Sequence, residues 1–258
     1  RLMSDRDSIK NTFLVTGLLC FVCSILVSGA AVGLKDKQDS NKALDLKKNI
    51  LNVCGIDYDD SNVESIYGER IQARLIDLRT GETVAATPTS QQTAEAFELN
   101  KLQEDEETTL SQDPVGIGGT RENFAVVYLY EAEKQIILPI RGKGLWSTLW
   151  GFISLSDGDF TTRGITFYAH GETPGLGGEV DSPFFKNQFV DGKETLNADG
   201  QVVLNVTKSG AAGPNDIDGL AGATITTQGV DKLIKFWLGM DGFGNYLQVE
   251  DKFANASN

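Results

Sequence analysis

NFAVVYLYEAEKQIILPIRGKGLWSTLWGFISLSDGDFTTRGITFYAH, residues 123–170, holds four short apolar runs separated by turn residues. Ala125–Tyr130, Gln135–Ile140, Gly151–Ser156 and Gly164–His170 have the length and β-branched or aromatic content of strands. No helical period separates them, so the chain does not read as an alternating β-α-β fold. Val202–Val206 adds a further strand downstream. Upstream, Ala73–Leu78 and Glu82–Ala86 read as two more, joined at Thr80-Gly81. Helices flank the strands. Ser182-Pro183 supplies the N-cap and N1 residues of one. A second runs from about Thr227 to Leu238, with Val230, Leu233, Ile234, Trp237 and Leu238 as its buried stripe and Gly239 as its stop. The expected fold is α+β, an antiparallel-rich mixed sheet domain with flanking helices.

Working outward, the N-terminal part carries a different signal. Between Lys10 and Lys35 lie 24 residues without a charge, NTFLVTGLLCFVCSILVSGAAVGL. As a helix they reach roughly 36 Å, enough for a bilayer core of about 30 Å. A cleaved signal peptide, with Ser28-Gly29-Ala30 as the cleavage site, is the competing reading, but the run exceeds most signal h-regions. Either way the remainder is expected to be exported. The flanking charges lean the other way, with Arg1, Arg6 and Lys10 before the run and Lys35, Lys37, Lys42, Lys47 and Lys48 after it. Cys20 and Cys23 fall inside the run at helical spacing. They read as small apolar residues, with a shared metal as the alternative.

The intervening region divides the chain into three expected parts: residues 1–34 as tail and transmembrane helix, 35–122 as a membrane-proximal part, and 123–258 as the main domain. Residues 35–55 read as a helix stopped by Gly55, and Ser61-Asn62-Val63-Glu64 as the capping box of a second. Residues 87–122 hold eight acidic residues, a possible helix at Ala94–Leu102 and the run Val115-Gly116-Ile117-Gly118-Gly119. With no Lys-Ser/Thr pair after those glycines, a phosphate loop is excluded.

The whole chain of 258 residues carries a net charge of −13, with 40% hydrophobic and 23% charged residues. These values suit a globular protein and argue against nucleic acid as a partner. His170 is the sole histidine, which removes catalytic triads and multi-histidine metal sites. Three cysteines cannot build a disulfide framework.

Three glycine-rich stretches remain as candidates for chemistry. His170 to Gly178, HGETPGLGG, lets backbone approach a flat ligand, with Glu172 and Thr173 as polar contacts and Gly175 and Leu176 in the loop. Gly144-Leu145-Trp146-Ser147 places an aromatic at a strand end. Ser209 to Thr227, SGAAGPNDIDGLAGATITT, runs straight into the last helix, where free N–H groups and the helix dipole suit a phosphate. Lys208 adds a charge, and Thr224, Thr226 and Thr227 add hydroxyls. A plain helix cap at Thr226 or Thr227 explains the last stretch equally well.

Asp218-Gly219-Leu220-Ala221-Gly222-Ala223-Thr224 resembles the Asp-x-x-Ser/Thr-Gly-Ala-Thr motif on which a flavin transferase attaches FMN through a phosphoester. Ala221 departs from it, where the pattern has Ser or Thr. Asp7-Ser8-Ile9-Lys10 and Ala31-Val32-Gly33-Leu34-Lys35-Asp36-Lys37-Gln38 resemble the C-type subunits of the sodium-translocating NADH:quinone oxidoreductases. The G-type subunit of Rnf complexes shares the flavin motif without that N-terminal signature. The resemblance implies an electron-transfer subunit with one covalent FMN on Thr224, other subunits as partners, and a single-pass position in the bacterial inner membrane with the flavin domain on the periplasmic side. It implies flavin contacts from Asp218, Gly222, Ala223, Thr227, Glu172, Thr173, Gly175, Leu176, Trp146 and Lys208. A membrane-anchored domain holding a phosphorylated ligand non-covalently and a structural subunit without flavin are the other classes in play.

Overall fold

The computed structural model describes residues 9–85, 107–190, 192–208, 210–211 and 213–253. The chain divides into two compact units, Arg1–Asp45 and Leu46–Asn258. The described residues of the first belong to helix α1 (Ile9–Val53). Its apolar side chains, Phe13 to Leu34, are exposed, and by length and composition it is able to cross a membrane. The sequence suggests two successive elements here; the structure has one helix, because the junction at Leu34-Lys35 contains no Pro or capping residue to interrupt it.

The second unit is built on a six-stranded sheet. Helix α2 (Val63–Arg70) leads into β1 (Ile71–Asp77), which turns into β2 (Thr83–Ala85). Asn62 precedes α2 but does not cap it by its side chain. Instead Asn62 Nδ2 donates to Asp59 Oδ2 (2.8 Å) and Asp59 N–H donates to Asn62 Oδ1 (2.9 Å), so an Asp59-centred turn replaces the expected capping box. After β3 (Glu107–Thr109) and β4 (Thr120–Glu122), which pair with each other, come β5 (Phe124–Tyr130), β6 (Gln135–Lys143), β7 (Thr148–Ser156) and β8 (Thr162–Ala169). The sheet order is β2-β1-β5-β6-β7-β8, and every neighbouring pair is antiparallel. Because β1 pairs with β5 along its full length, the sheet crosses residue 122 without a break. The strands before and after the expected boundary at 122 thus form one layer. The expected helix at Ala94–Leu102 lies outside the described residues.

Asp113 shapes the β3–β4 connection. Its carboxylate accepts from the N–H groups of Ile117 (3.1 Å), Gly118 (2.9 Å) and Gly119 (2.9 Å). The amides that a phosphate loop would need are therefore already occupied. Burial raises the Asp113 pKa, but these N–H groups outweigh it and hold the carboxyl below the usual range. The stability it contributes is complete above the unfolded value near 3.9 and is lost as pH falls through the lower native value. The melting temperature should therefore drop from about pH 4 downward, and drop less steeply in Asp113→Asn. An equal slope in both proteins would remove Asp113 as the cause.

Both faces of the sheet are covered, which explains why β6 reads as a nearly continuous apolar run. A short helix α3 (Pro183–Asn187) is capped as expected, the Ser182 hydroxyl accepting from Phe185 N–H. The strand expected at Val202–Val206 shifts to β9 (Asn205–Thr207). It pairs with β10 (Asp216–Asp218), the only parallel pairing among the described residues. Helix α4 (Thr224–Leu238) packs on β6, burying Val230, Leu233, Ile234 and Trp237; a one-turn α5 (Gly244–Leu247) follows. On the opposite face Tyr128 meets Phe152 edge-on at 5.8 Å, Phe152 meets Tyr168 at 5.3 Å, and Thr166 donates to Asn49 Oδ1 (3.1 Å) near the end of α1. Cys54 is buried there, and burial pushes its thiol well above the usual range, so it is inert packing.

Candidate functional site

Strand register brings the three glycine-rich stretches together. Lys143 pairs with Thr148, so Gly144–Ser147 is the tip of the β6–β7 hairpin, closed by Gly144 N–H to Ser147 O (2.8 Å). Trp150 pairs with Ala169, so the loop after β8 leaves the sheet at that same end. The loop is fastened to the tip where Gly171 N–H donates to Ser147 Oγ (2.6 Å). Helix α4, packed on β6, starts beside them.

Glu172 closes the junction. Only 5% exposed, its Oε1 accepts from the N–H groups of Trp146 (2.9 Å) and Ser147 (3.1 Å). Its Oε2 accepts from Leu145 N–H (3.3 Å) and the Thr226 hydroxyl (2.7 Å). Burial raises its pKa, but the Thr226 hydroxyl and the three N–H groups outweigh that and hold the carboxyl below the usual range. Glu172 is thus ionised and fully engaged with protein donors. The carboxylate expected as a polar contact forms an internal clasp between hairpin tip and helix.

The threonines separate cleanly. Helix α4 begins at Thr224, three residues earlier than expected, because side-chain bonds secure its first turn from outside. Thr226 and Thr227 are each 1% exposed. Thr226 donates to Glu172, and Thr227 Oγ1 accepts from Leu220 N–H (3.0 Å). The expectation that Thr227 caps the helix is corrected: its oxygen is occupied by an N–H of the preceding loop. Thr224 is exposed. No side chain caps the helix from Ala223. Since Thr227 N–H is bonded to Ala223 O (2.9 Å), the N–H groups of Thr224, Ile225 and Thr226 lie ahead of the helical ladder.

Around this end several apolar side chains face solvent: Leu145 is 43% exposed, Trp146 67%, Leu176 45% and Ile225 54%. Gly222 has φ +72°, a left-handed turn that places residue 222 directly against Leu176, whose Cδ2 stands 3.2 Å from where a Cβ would be. Thr173 and Gly175 are exposed in the same loop, and the Thr173 carbonyl accepts from Leu176 N–H (3.1 Å) and Gly178 N–H (2.9 Å). Ala223 is buried. Asp218 turns away from the helix end: its carboxylate accepts from Ala211 N–H, and its own N–H donates to Gln188 Oε1 (2.7 Å). Lys208 is exposed after β9, and no contact among the described residues ties its ammonium to Thr224. Ala221 is exposed as well, so a hydroxyl there would lie outside the packed turn. Leu145 and Ile225 are additions to the sequence reading. Ile225 stands outside the buried stripe of α4, a signal that was legible.

The exposed hydroxyl, the uncapped helix start and the apolar side chains around it all fall within residues 144–239, which match the family model of the FMN-binding domain. The similarity to whole proteins extends further. The C-type subunit of the Na(+)-translocating NADH-quinone reductase of Yersinia pestis is 40% identical over 95% of this chain and 94% of its own length. Its counterpart from Vibrio alginolyticus is 41% identical over 95% and 96% respectively. The crystal structure of Shewanella oneidensis NqrC superposes with a TM-score of 0.73 at 26% identity, covering 81% of this chain and 97% of that one. The chain belongs to the NqrC family, the C-type subunits of the Na(+)-translocating NADH-quinone reductases.

Proposed function

We propose that this chain is an electron-carrying subunit of a sodium-translocating NADH:quinone oxidoreductase and holds one FMN as a phosphoester of Thr224. The observation that carries the reading is the contrast among the three threonines: Thr224 offers an exposed hydroxyl, while those of Thr226 and Thr227 are buried and bonded. A phosphate on Thr224 would face the uncapped start of α4, where the free N–H groups and the dipole stabilise its charge by about 0.3–1 kcal/mol. Leu145, Trp146, Leu176 and Ile225 supply apolar surface for an isoalloxazine ring, with the backbone of Thr173 and Gly175 beside Leu176. When bound, FMN supplies the redox chemistry; the protein fixes its position and electrostatics. A covalent tether relieves the site of the need for a deep pocket, which agrees with the open arrangement of these side chains.

Helix α1 then anchors the subunit among its partner subunits, with the sheet domain on the periplasmic face and a flavin transferase installing the cofactor. Peptide mass spectrometry of the denatured chain tests the central claim. The FMN mass is expected on the peptide containing Thr224, with fragmentation assigning it to that residue. Flavin released on denaturation would instead make the chain a non-covalent binding module, and placement on Thr226 or Thr227 would overturn the assignment.

A further inference from the structure

We propose that Glu172 is the positioning residue of this site: a single buried carboxylate that holds the segments bearing Trp146, Leu176 and Thr224 in one arrangement and keeps a fixed negative charge among them. The inference rests on the flavin reading of Thr224 but goes beyond it, because Glu172 bonds the backbone amides of Leu145 and Trp146 and the Thr226 hydroxyl rather than the side chains assigned to the cofactor.

Three successive amides, those of Leu145, Trp146 and Ser147, converge on one carboxylate, which is the geometry of a backbone anion nest. In this chain the anion is supplied internally by the loop after β8. The fourth donor, Thr226 Oγ1, comes from the first turn of α4, two residues beyond Thr224. The glutamate is itself held: its N–H donates to His170 Nδ1 (3.2 Å), and His170 Nε2 bonds Asp181 Oδ2 (2.7 Å). The space is closed around it. A Cβ at Gly177 would stand 2.6 Å from both Glu172 Oε2 and Thr226 Oγ1, so only glycine lets the chain pass between clasp and helix.

Two consequences follow. Charge-assisted bonds to four donors fix the hairpin tip, the loop and the helix start more firmly than neutral ones would. A fixed anion in a partly desolvated site also opposes the addition of electrons nearby. Removing the charge should therefore move the midpoint potential of a flavin bound here to a more positive value. A glutamate that served only to stabilise the fold would not affect that potential.

The experiment compares the full-length flavinylated chain in detergent with Glu172→Gln and Glu172→Asp, reading covalent flavin content, visible spectrum and midpoint potential. Glu172→Gln should retain covalent flavin, with a positive shift in potential and an altered spectrum. Glu172→Asp keeps the charge and should return the potential toward the wild-type value while leaving the spectrum changed, since the shorter arm cannot reach all four donors. Potential and spectrum unchanged in Glu172→Gln would overturn the proposal. If that variant fails to accumulate, Thr226→Val decides: loss of the bond to α4 should alter the spectrum at an unchanged potential, and an unaltered spectrum would equally overturn it. Flavin released from the denatured wild-type chain would overturn attachment at Thr224 alone; the clasp would still be judged by the potential and spectrum of the bound flavin.

Discussion

Thr224→Val is expected to give a folded chain without covalent flavin, whereas Thr226→Val and Thr227→Val keep theirs and lose stability instead. The argument is one of exposure and partners. Valine preserves the branched shape of threonine and removes the oxygen. At an exposed N1 position that substitution should cost less than about 0.5 kcal/mol. Thr226→Val strips one of four donors from a buried carboxylate, and Thr227→Val leaves the Leu220 N–H without its acceptor. Each should cost about 1–3 kcal/mol. In-gel flavin fluorescence and thermal unfolding together read the pattern. Full fluorescence in Thr224→Val, or its loss in Thr227→Val with the fold intact, would contradict it.

Arg141→Ala should destabilise the sheet domain by about 3–5 kcal/mol, the largest expected effect of a single change away from the site. The Arg141 guanidinium makes two bonds to the Glu122 carboxylate, each 2.5 Å, with 10% and 6% of the two side chains exposed. It also lies 4.9 Å from the Trp237 ring and 5.7 Å from that of Trp150, while Trp237 Nε1 donates to the Arg141 carbonyl (2.6 Å). The pair sits where β5 and β6 have stopped pairing, since their last partners toward this end are Tyr128 and Ile137. Removing arginine alone leaves a buried carboxylate without its cation. Removing both charges, in Arg141→Met with Glu122→Gln, should recover much of the loss. Denaturant unfolding of the wild type, Arg141→Ala, the two single variants Arg141→Met and Glu122→Gln, and the double variant measures it; a double variant as unstable as Arg141→Ala would show that packing on the tryptophans, not the charge pair, dominates.

The strands were legible because their evidence is local. Ala125–Tyr130 and Gln135–Ile140 announce themselves by composition, and each lies within an observed strand. Their ends were less legible. Arg141 to Lys143 contains two charges and a glycine, and Thr148 to Trp150 follows the Gly144 turn directly, yet cross-strand pairing extends β6 and β7 through both. The capping box at Ser61 failed for a related reason, as the Asp59 carboxylate accepts from both the N–H (2.8 Å) and the hydroxyl of Ser61. At the site, the glycine-rich stretches marked the right places. The role of Glu172 was hidden because its donors lie 25 to 27 and 54 residues away in sequence. Spacing rules reach one or two turns, not across a hairpin and a helix.

The strand order also has a kinetic meaning. β5 to β8 follow one another through short connections, so each can zip onto the last on the microsecond scale of hairpin formation. β1 must instead find β5 across residues 78–123, after a far larger loop has closed. The expected order of assembly is the four-strand meander first and its β1–β2 edge last. Closure entropy grows only slowly with length, about 0.6 kcal/mol for each doubling. The long connection between those strands is therefore free to lengthen or shorten over evolutionary time at little thermodynamic cost. The four-residue turn bearing Trp146, bound at both ends by its own hairpin, has no such freedom.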